Sequence, residues 1–152
     1  MAWGRDVDPS TARRLLESFV AGGGNFVDTA PAYGGGVAEK IIGSALSRGM
    51  PRDEVVIATK AGFVVRDGKR VIDTSRGALL DDLTNSLRRL NTDHVDLWQF
   101  HAWGDAPLEE TLAAADSAVQ RGLVRYVGVS NYVGWQTATA ATWQAALPGR
   151  VS

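Results

Sequence analysis

The sequence predicts an α/β fold built on a parallel β-sheet, and three observations point to it. Apolar segments of strand length alternate with longer segments whose apolar positions recur at helical spacing. The strand segments are nearly continuous apolar runs, as expected for a sheet covered on both faces. Hydrophobic residues make up 45% of the chain and charged residues 22%, which is typical of a globular protein. The 152 residues are therefore expected to form one domain over residues 1–152.

The predicted elements follow the order α-β-α-β-α-β-α-β-α. Asp8 or Ser10 is the N-cap candidate of the first helix, and Ser75 that of the third. A loop with a small hairpin about Asp67-Gly68 is expected within residues 62–74. The first helix runs from the turn at residues 8–10 to the glycines at 22–24, and the others span 37–48, 75–90, 108–121 and 134–146. The predicted strands are 25–28, 55–60, 95–100 and 123–129.

Composition excludes several functional classes. The net charge of −1 argues against a nucleic-acid partner and against an anionic membrane surface, since both need a basic face. The absence of cysteine excludes disulfides and thiolate metal sites, and no metal site is predicted. No apolar run approaches the roughly 20 residues of a membrane span, and no signal peptide is recognisable. A cytoplasmic protein is therefore expected, and the sequence carries no signal for an oligomeric state.

Each of the four predicted strands ends on polar side chains. The residues at these ends are Asp28, Lys60, His101 and the pair Ser130-Asn131. The carboxyl ends of parallel strands share one edge of the sheet, and neighbouring strands lie about 4.8 Å apart. Asp28, Lys60 and His101 can therefore converge on one point, at the edge where α/β proteins bind ligands.

Each of these residues also has a simpler interpretation. Asp28 could be a helix cap or turn former. Lys60 could be a solvated surface lysine, and His101 a packed core residue. Burying Asp28 or Lys60 alone would be costly, and pairing them relieves that cost. Taken together on one face, the three residues favour a shared functional site.

Four segments at these strand ends carry a more specific pattern. Residues 25–34 read NFVDTAPAYG, Val56–Lys60 reads VIATK, Val95–His101 reads VDLWQFH, and Gly122–Tyr132 reads GLVRYVGVSNY. In this order and spacing they resemble the motifs of the aldo-keto reductase family and cover almost the whole chain. The resemblance implies a parallel (β/α) TIM-type barrel. It also implies that an aldehyde or ketone is reduced by hydride from NADP(H), with NAD(H) not excluded.

The resemblance assigns a catalytic role to four residues. Tyr33 would be the general acid that protonates the carbonyl oxygen. Lys60 would make this phenol a better acid, and Asp28 would hold Lys60 in place and keep it charged. His101 would orient the substrate oxygen and help to relay the proton.

The resemblance also implies residues for ligand binding. Ser130 and Asn131, with Asp28, would bind the cofactor, the first two through the nicotinamide carboxamide. Trp3 and Trp103 would line the substrate pocket, although simple apolar packing is an equal alternative for Trp3. Glu39 resembles a glutamate at the start of the family's corresponding helix, and favourable charge at a helix N-terminus explains it without catalysis.

The resemblance covers an incomplete barrel, about the first five to six βα units of eight. Strand stubs are expected at residues 1–4 and 151–152, while the family's adenosine- and pyrophosphate-binding loops follow strands seven and eight. The chain is therefore expected to be a fragment of a longer protein, in preference to a chain that pairs with another chain or a degenerate remnant. As an isolated chain it should reduce carbonyls weakly or not at all.

Two other functions remain open at this point. One is a non-catalytic cofactor-binding or regulatory subunit, like the potassium-channel β subunits related to these reductases. The other is an unrelated doubly wound nucleotide or phosphate binder. This last function requires a glycine fingerprint after the first strand, and none is found. The substrate that the resemblance implies is a small aldehyde or ketone.

Overall fold

The computed structural model describes residue 3 and residues 6–146. The predicted element order is confirmed, with bounds that nearly coincide with the expected ones. The stubs expected at 1–4 and 151–152 lie outside the described residues, except for Trp3, which forms an isolated bridge with Val7. None of the helices in the described part of the chain is both long and apolar enough to span a membrane. The elements are α1 (Pro9–Ala21), β1 (Phe26–Asp28), α2 (Val37–Ser47), β2 (Val56–Ala61), β3 (Phe63–Arg66), β4 (Lys69–Ile72), α3 (Arg76–Leu90), β5 (Val95–Phe100), α4 (Leu108–Gln120), β6 (Val124–Val129) and α5 (Gly134–Ala146).

Four parallel strands form the main sheet in the order β1-β2-β5-β6. The order follows the chain without reversal. A doubly wound sheet reverses its order at the switch point where it binds its ligand, and no such reversal occurs among the four strands of the described residues. Strands that progress in one direction, each joined to the next through a helix, form a section of a (β/α) barrel.

The helices cover one face of this sheet and contact one another in sequence, from α1 through α5. Their buried positions recur at helical spacing, as in α3, where Leu79, Leu83 and Leu90 are fully buried. From the sheet, alternate residues point into the same layer and include Ile57, Trp98 and Phe100. The core therefore lies between the helices and the outer face of the barrel section.

The opposite face of the sheet is open at its two outer strands. Phe26 on β1 is 52% exposed, and Tyr126 on β6 is 61% exposed. The expectation of a sheet covered on both faces is therefore wrong for β1 and β6 within the described residues. In a closed barrel this face is the packed interior, so the exposure has a simple physical origin in the incomplete barrel.

Local signals set the helix starts and the hairpin. Asp8, one of the two N-cap candidates of α1, accepts hydrogen bonds at Oδ1 from the backbone N–H groups of Ser10 (3.0 Å) and Thr11 (3.1 Å). Ser75 occupies the N-cap position of α3, but its side chain makes no capping bond, so that part of the expectation is wrong. The hairpin β3–β4 is confirmed, because Asp67 and Gly68 both adopt positive φ, as a tight type I′ turn requires.

A polar cluster supports the end of the sheet opposite the carboxyl edge. Asp96, the acidic residue of the VDLWQFH segment, contacts Arg52 Nη2 at 2.8 Å and Arg125 Nη1 at 3.2 Å. Its Oδ2 also accepts a hydrogen bond from the backbone N–H of Ile57 (2.9 Å). Two of the motif residues, Asp96 and Arg125, thus join neighbouring strands and do not belong to the strand-end cluster.

Candidate active site

Lys60 is the centre of the polar cluster at the carboxyl edge of the sheet. Its Nζ lies 2.8 and 2.6 Å from the two carboxylate oxygens of Asp28. The same nitrogen lies 3.0 Å from the carbonyl oxygen of Thr29 and 3.2 Å from the hydroxyl oxygen of Tyr33. One ammonium group therefore connects the carboxylate of β1 with the phenol of the turn that follows it.

The register of the strands creates this meeting point. Asp28 lies beside Ala58 in the β1–β2 pair, and Lys60, two residues further along β2, points to the same face. Tyr33 begins a short 3₁₀ turn, Tyr33–Gly36, that folds back over the strand end, with its backbone N–H bonded to Ala30. A strand end and the turn after it thus bring two side chains to the same lysine.

Burial explains why Lys60 needs these partners. The residue is only 5% exposed, whereas the Asp28 side chain is 45% exposed. An ammonium group taken out of water is stable only when its hydrogen bonds and its charge are matched by the protein. The Asp28 carboxylate supplies the opposite charge, and the carbonyl oxygen of Thr29 and the hydroxyl oxygen of Tyr33 also accept hydrogen bonds from Nζ. The surface-lysine interpretation of Lys60 is therefore wrong.

His101 lies beside the ring of Tyr33. Its ring is edge-on to the ring of Tyr33, with centroids 6.1 Å apart, and the residue is 8% exposed. Burial, followed by the positive charges of Lys60 and Arg70, lowers the pKa of His101 to about 4. The imidazole is consequently neutral at neutral pH, able to donate or accept a hydrogen bond but not to act as a cationic acid.

The low pKa of His101 has a consequence for stability. The unfolded chain protonates this residue near 6.5, whereas the folded protein resists protonation down to about 4. The unfolded state binds more protons between these values, so stability should fall as the pH drops through this window. We expect urea-unfolding midpoints to decline less between about pH 7 and pH 4 in His101→Gln than in the unaltered chain. If the midpoints of the two proteins fell equally over this pH range, the lowered pKa of His101 would be contradicted.

Ser130 and Asn131 follow the last residue of β6. Asn131 adopts a positive φ of 57°, and its Nδ2 donates to the carbonyl oxygen of His101 (2.8 Å) and to Ser130 Oγ (3.1 Å). The side-chain oxygen of Asn131 accepts no hydrogen bond from the described residues. A hydroxyl beside a free amide oxygen can both donate to and accept from a primary carboxamide. The pair therefore fits the carboxamide of a nicotinamide ring.

The two tryptophans assigned to the substrate pocket have different surroundings. Trp3 lines a cavity of about 220 Å³ together with Asp28, Thr29 and Tyr33. Trp103 lies elsewhere, against Tyr132 and Trp135, with ring centroids 5.3 Å apart in both pairs. Trp3 and Tyr33 thus line the same cavity, and Trp103 is not among the residues that line it. A larger open groove of about 710 Å³ lies beside Arg88 and Arg121 and contains none of the strand-end residues.

Two contact residues of the cluster escaped the sequence analysis. Gln99 is paired in register with Lys60, and its Nε2 donates to Asp28 Oδ1 at 3.1 Å. Phe63 places its ring 4.4 Å from that of His101, centroid to centroid. The signal for Gln99 was an amide in an apolar strand, two residues before His101 and thus on the same face. Phe63 had none, because its position depends on the fold of the hairpin.

The similarity of the chain to known proteins points to one family. The model of the Aldo/keto reductase family matches residues 1–148. The chain is 36% identical over 132 residues to aldo-keto reductase YhdN of Bacillus subtilis (strain 168), covering 86% of this chain and 39% of that protein. It is 30% identical over 144 residues to the Phanerodontia chrysosporium protein named aryl-alcohol dehydrogenase, NADP(+), covering 88% of this chain and 37% of the relative.

A solved structure shows the same relationship in three dimensions. The holo form of aldo-keto reductase AKR11C1 from Bacillus halodurans superposes with a TM-score of 0.76 at 37% sequence identity. The superposition covers 82% of this chain and 42% of that one. The chain thus spans less than half the length of each of these relatives.

Proposed function

The chain belongs to the aldo/keto reductase family, and we propose that the protein carrying it transfers hydride from a nicotinamide cofactor to a small aldehyde or ketone. One observation carries the proposal: a buried ammonium group, Lys60 Nζ, is bonded at once to the Asp28 carboxylate and to the Tyr33 hydroxyl. A phenol beside a buried cation is suited to giving up a proton, because the cation stabilises the negative charge that develops on the oxygen.

In the proposed reaction Tyr33 donates its proton to the carbonyl oxygen. Lys60 stabilises the charge on the phenol oxygen at a distance of 3.2 Å, and the ion pair with Asp28 holds the lysine in place. Neutral His101 orients the carbonyl oxygen by a hydrogen bond, because its lowered pKa leaves it without a charge at neutral pH. The acid is therefore assigned to Tyr33 and not to His101.

We propose NADP(H) as the cofactor, with NAD(H) as the alternative. When bound, it supplies the hydride for the carbonyl carbon. Ser130 and Asn131 would hold its carboxamide, since they present a hydroxyl and a free amide oxygen at the carboxyl edge. The relative from Phanerodontia chrysosporium carries NADP(+) in its name, which supports this choice.

The alternative of a cofactor-binding subunit without turnover has no observation in its favour. Such a protein needs the carboxamide site but not an acid. Here the phenol, the ammonium and the carboxylate are joined by hydrogen bonds of 3.2 Å or less. Burying charged groups is energetically unfavourable. A role in proton transfer during turnover accounts for the presence of such a cluster.

Aldehyde-dependent NADPH oxidation is the test of this proposal. We expect the protein that carries this chain to oxidise NADPH in the presence of 4-nitrobenzaldehyde, followed at 340 nm. Replacing Lys60 by methionine should lower kcat/KM by about 100-fold or more, because the developing charge on Tyr33 loses its counter-charge. Lys40→Met, the same change at an exposed position of α2, is the matched control. Equal rates for the two variants, or no oxidation by the unaltered protein, would refute the proposal.

A further inference from the structure

The β3–β4 hairpin places a distinctive side-chain combination beside the candidate active site. In this antiparallel pair Phe63 lies opposite Ile72, and Val65 lies opposite Arg70. Residues that face each other, and residues two apart on one strand, share a face of the hairpin. One face therefore carries Phe63, Val65, Arg70 and Ile72, which we call the Arg70 face. Lys69 lies on the other face.

The Arg70 face borders the active site through Phe63. The Phe63 ring lies 4.4 Å from the ring of His101, and the Arg70 guanidinium carbon lies 5.3 Å from the centroid of the Phe63 ring. A cation over an aromatic ring at this distance is attracted by it, which holds the guanidinium in position. The pKa of His101 is lowered by burial first, then by the positive charge of Lys60 and then by that of Arg70. The charge of Arg70 therefore acts on a residue of the site.

The charge of Arg70 is not neutralised by the hairpin. Arg66, on the opposite face, forms an ion pair with Asp73, whereas Arg70 has no carboxylate partner among the described residues. Its neighbours on the same face are apolar and exposed, Val65 by 73% and Ile72 by 41%. An unpaired guanidinium among exposed apolar side chains matches a ligand with an apolar body and an anionic group.

We propose that Arg70 binds a carboxylate of the substrate, so that the protein prefers aldehydes or ketones that carry an acidic group on an apolar skeleton. This inference rests on the proposed function for the position of the carbonyl, which would lie beside Tyr33 and His101. The planar guanidinium can bind a carboxylate with two parallel hydrogen bonds, a geometry that a lysine cannot reproduce. The hydrocarbon part of the substrate would lie against Phe63, Val65 and Ile72.

A pair of substrates of the same shape tests the role of Arg70. We expect the protein to reduce 4-carboxybenzaldehyde with a lower KM than its methyl ester, which has no charge. In Arg70→Met the KM for the acid should rise about tenfold or more, and the KM for the ester should not change. Lys69→Met removes the same charge from the opposite face of the hairpin and should leave both values unchanged. An equal rise in Lys69→Met, or no rise in Arg70→Met, would overturn the proposal.

A binding measurement separates this inference from the proposed activity. We would titrate 4-carboxybenzyl alcohol and its methyl ester into the protein and follow the arginine side-chain NMR signals. Binding of the acid that weakens about tenfold in Arg70→Met, but not in Lys69→Met, would support the carboxylate site even if no carbonyl is reduced. Equal affinity for the acid and the ester in the unaltered protein would overturn it, whatever the activity.

Discussion

Replacing Tyr33 by phenylalanine should reduce kcat for carbonyl reduction by about 10²- to 10⁴-fold, the usual contribution of a general acid. The change removes one oxygen, and with it the proton donor that lies 3.2 Å from Lys60 Nζ. The ring remains, so the contact with His101 is kept. Steady-state rates of NADPH oxidation over a range of aldehyde concentrations would measure the loss, which should appear in kcat more than in KM.

The control for this change is another tyrosine. Tyr126 lies on β6 in register with Leu97, and within the described residues it makes no hydrogen bond to the cluster around Lys60. Tyr126→Phe should leave kcat unchanged. Unfolding in urea should show Tyr33→Phe to be folded, with stability altered by about 1 kcal/mol, the net value of one hydrogen bond. A Tyr33→Phe protein that turns over at the normal rate would show that the proton comes from another group.

The sequence located most of the cluster because parallel strands present their carboxyl ends at one edge. That rule alone predicts that Asp28, Lys60 and His101 lie together, and in the structure Lys60 contacts Asp28 while Tyr33 contacts both Lys60 and His101. Tyr33 is different. It lies in a turn five residues beyond the end of β1, so the rule that parallel strands share one carboxyl edge does not predict its position. Only the resemblance to a family motif identifies Tyr33 as a candidate.

The remaining contacts depend on packing between distant segments, which a single sequence does not encode in a readable form. The hairpin was expected, but its orientation was not, so Phe63 and Arg70 could not be placed near His101. Trp135, near the start of α5, is 62% exposed and lies beside Trp103, a setting that its sequence does not distinguish from burial in the core. A tryptophan at a helix start gives the same sequence signal in both settings.

Glu39 shows most clearly what the sequence conceals. Near the start of α2 its charge is favourable for the helix, and this explanation was sufficient. The structure shows a residue with no exposed surface, whose two oxygens accept hydrogen bonds from Thr59 Oγ1 and Arg89 Nε, both at 2.6 Å. Arg89 is 50 residues from Glu39 in the chain. The Arg89 side chain lies close against Gly36, where an added Cβ would be only 2.7 Å from the Arg89 Cδ. Glu39 thus joins α2, α3 and the strand that carries Lys60.

Replacing Glu39 by alanine should therefore lower the free energy of unfolding by about 3–5 kcal/mol, because it leaves the Arg89 guanidinium poorly solvated and without its partner. Glu17→Ala is the control, since Glu17 forms the same type of ion pair with Arg13 within α1, but close to solvent. A pair of that kind contributes about 0.5 kcal/mol or less. Urea unfolding would measure both, and the double variant Glu39→Ala/Arg89→Ala should recover part of the loss, because no unpaired charge remains. If Glu39→Ala lowers the free energy of unfolding by no more than Glu17→Ala does, the buried Glu39–Arg89 ion pair does not stabilise the strand that carries Lys60.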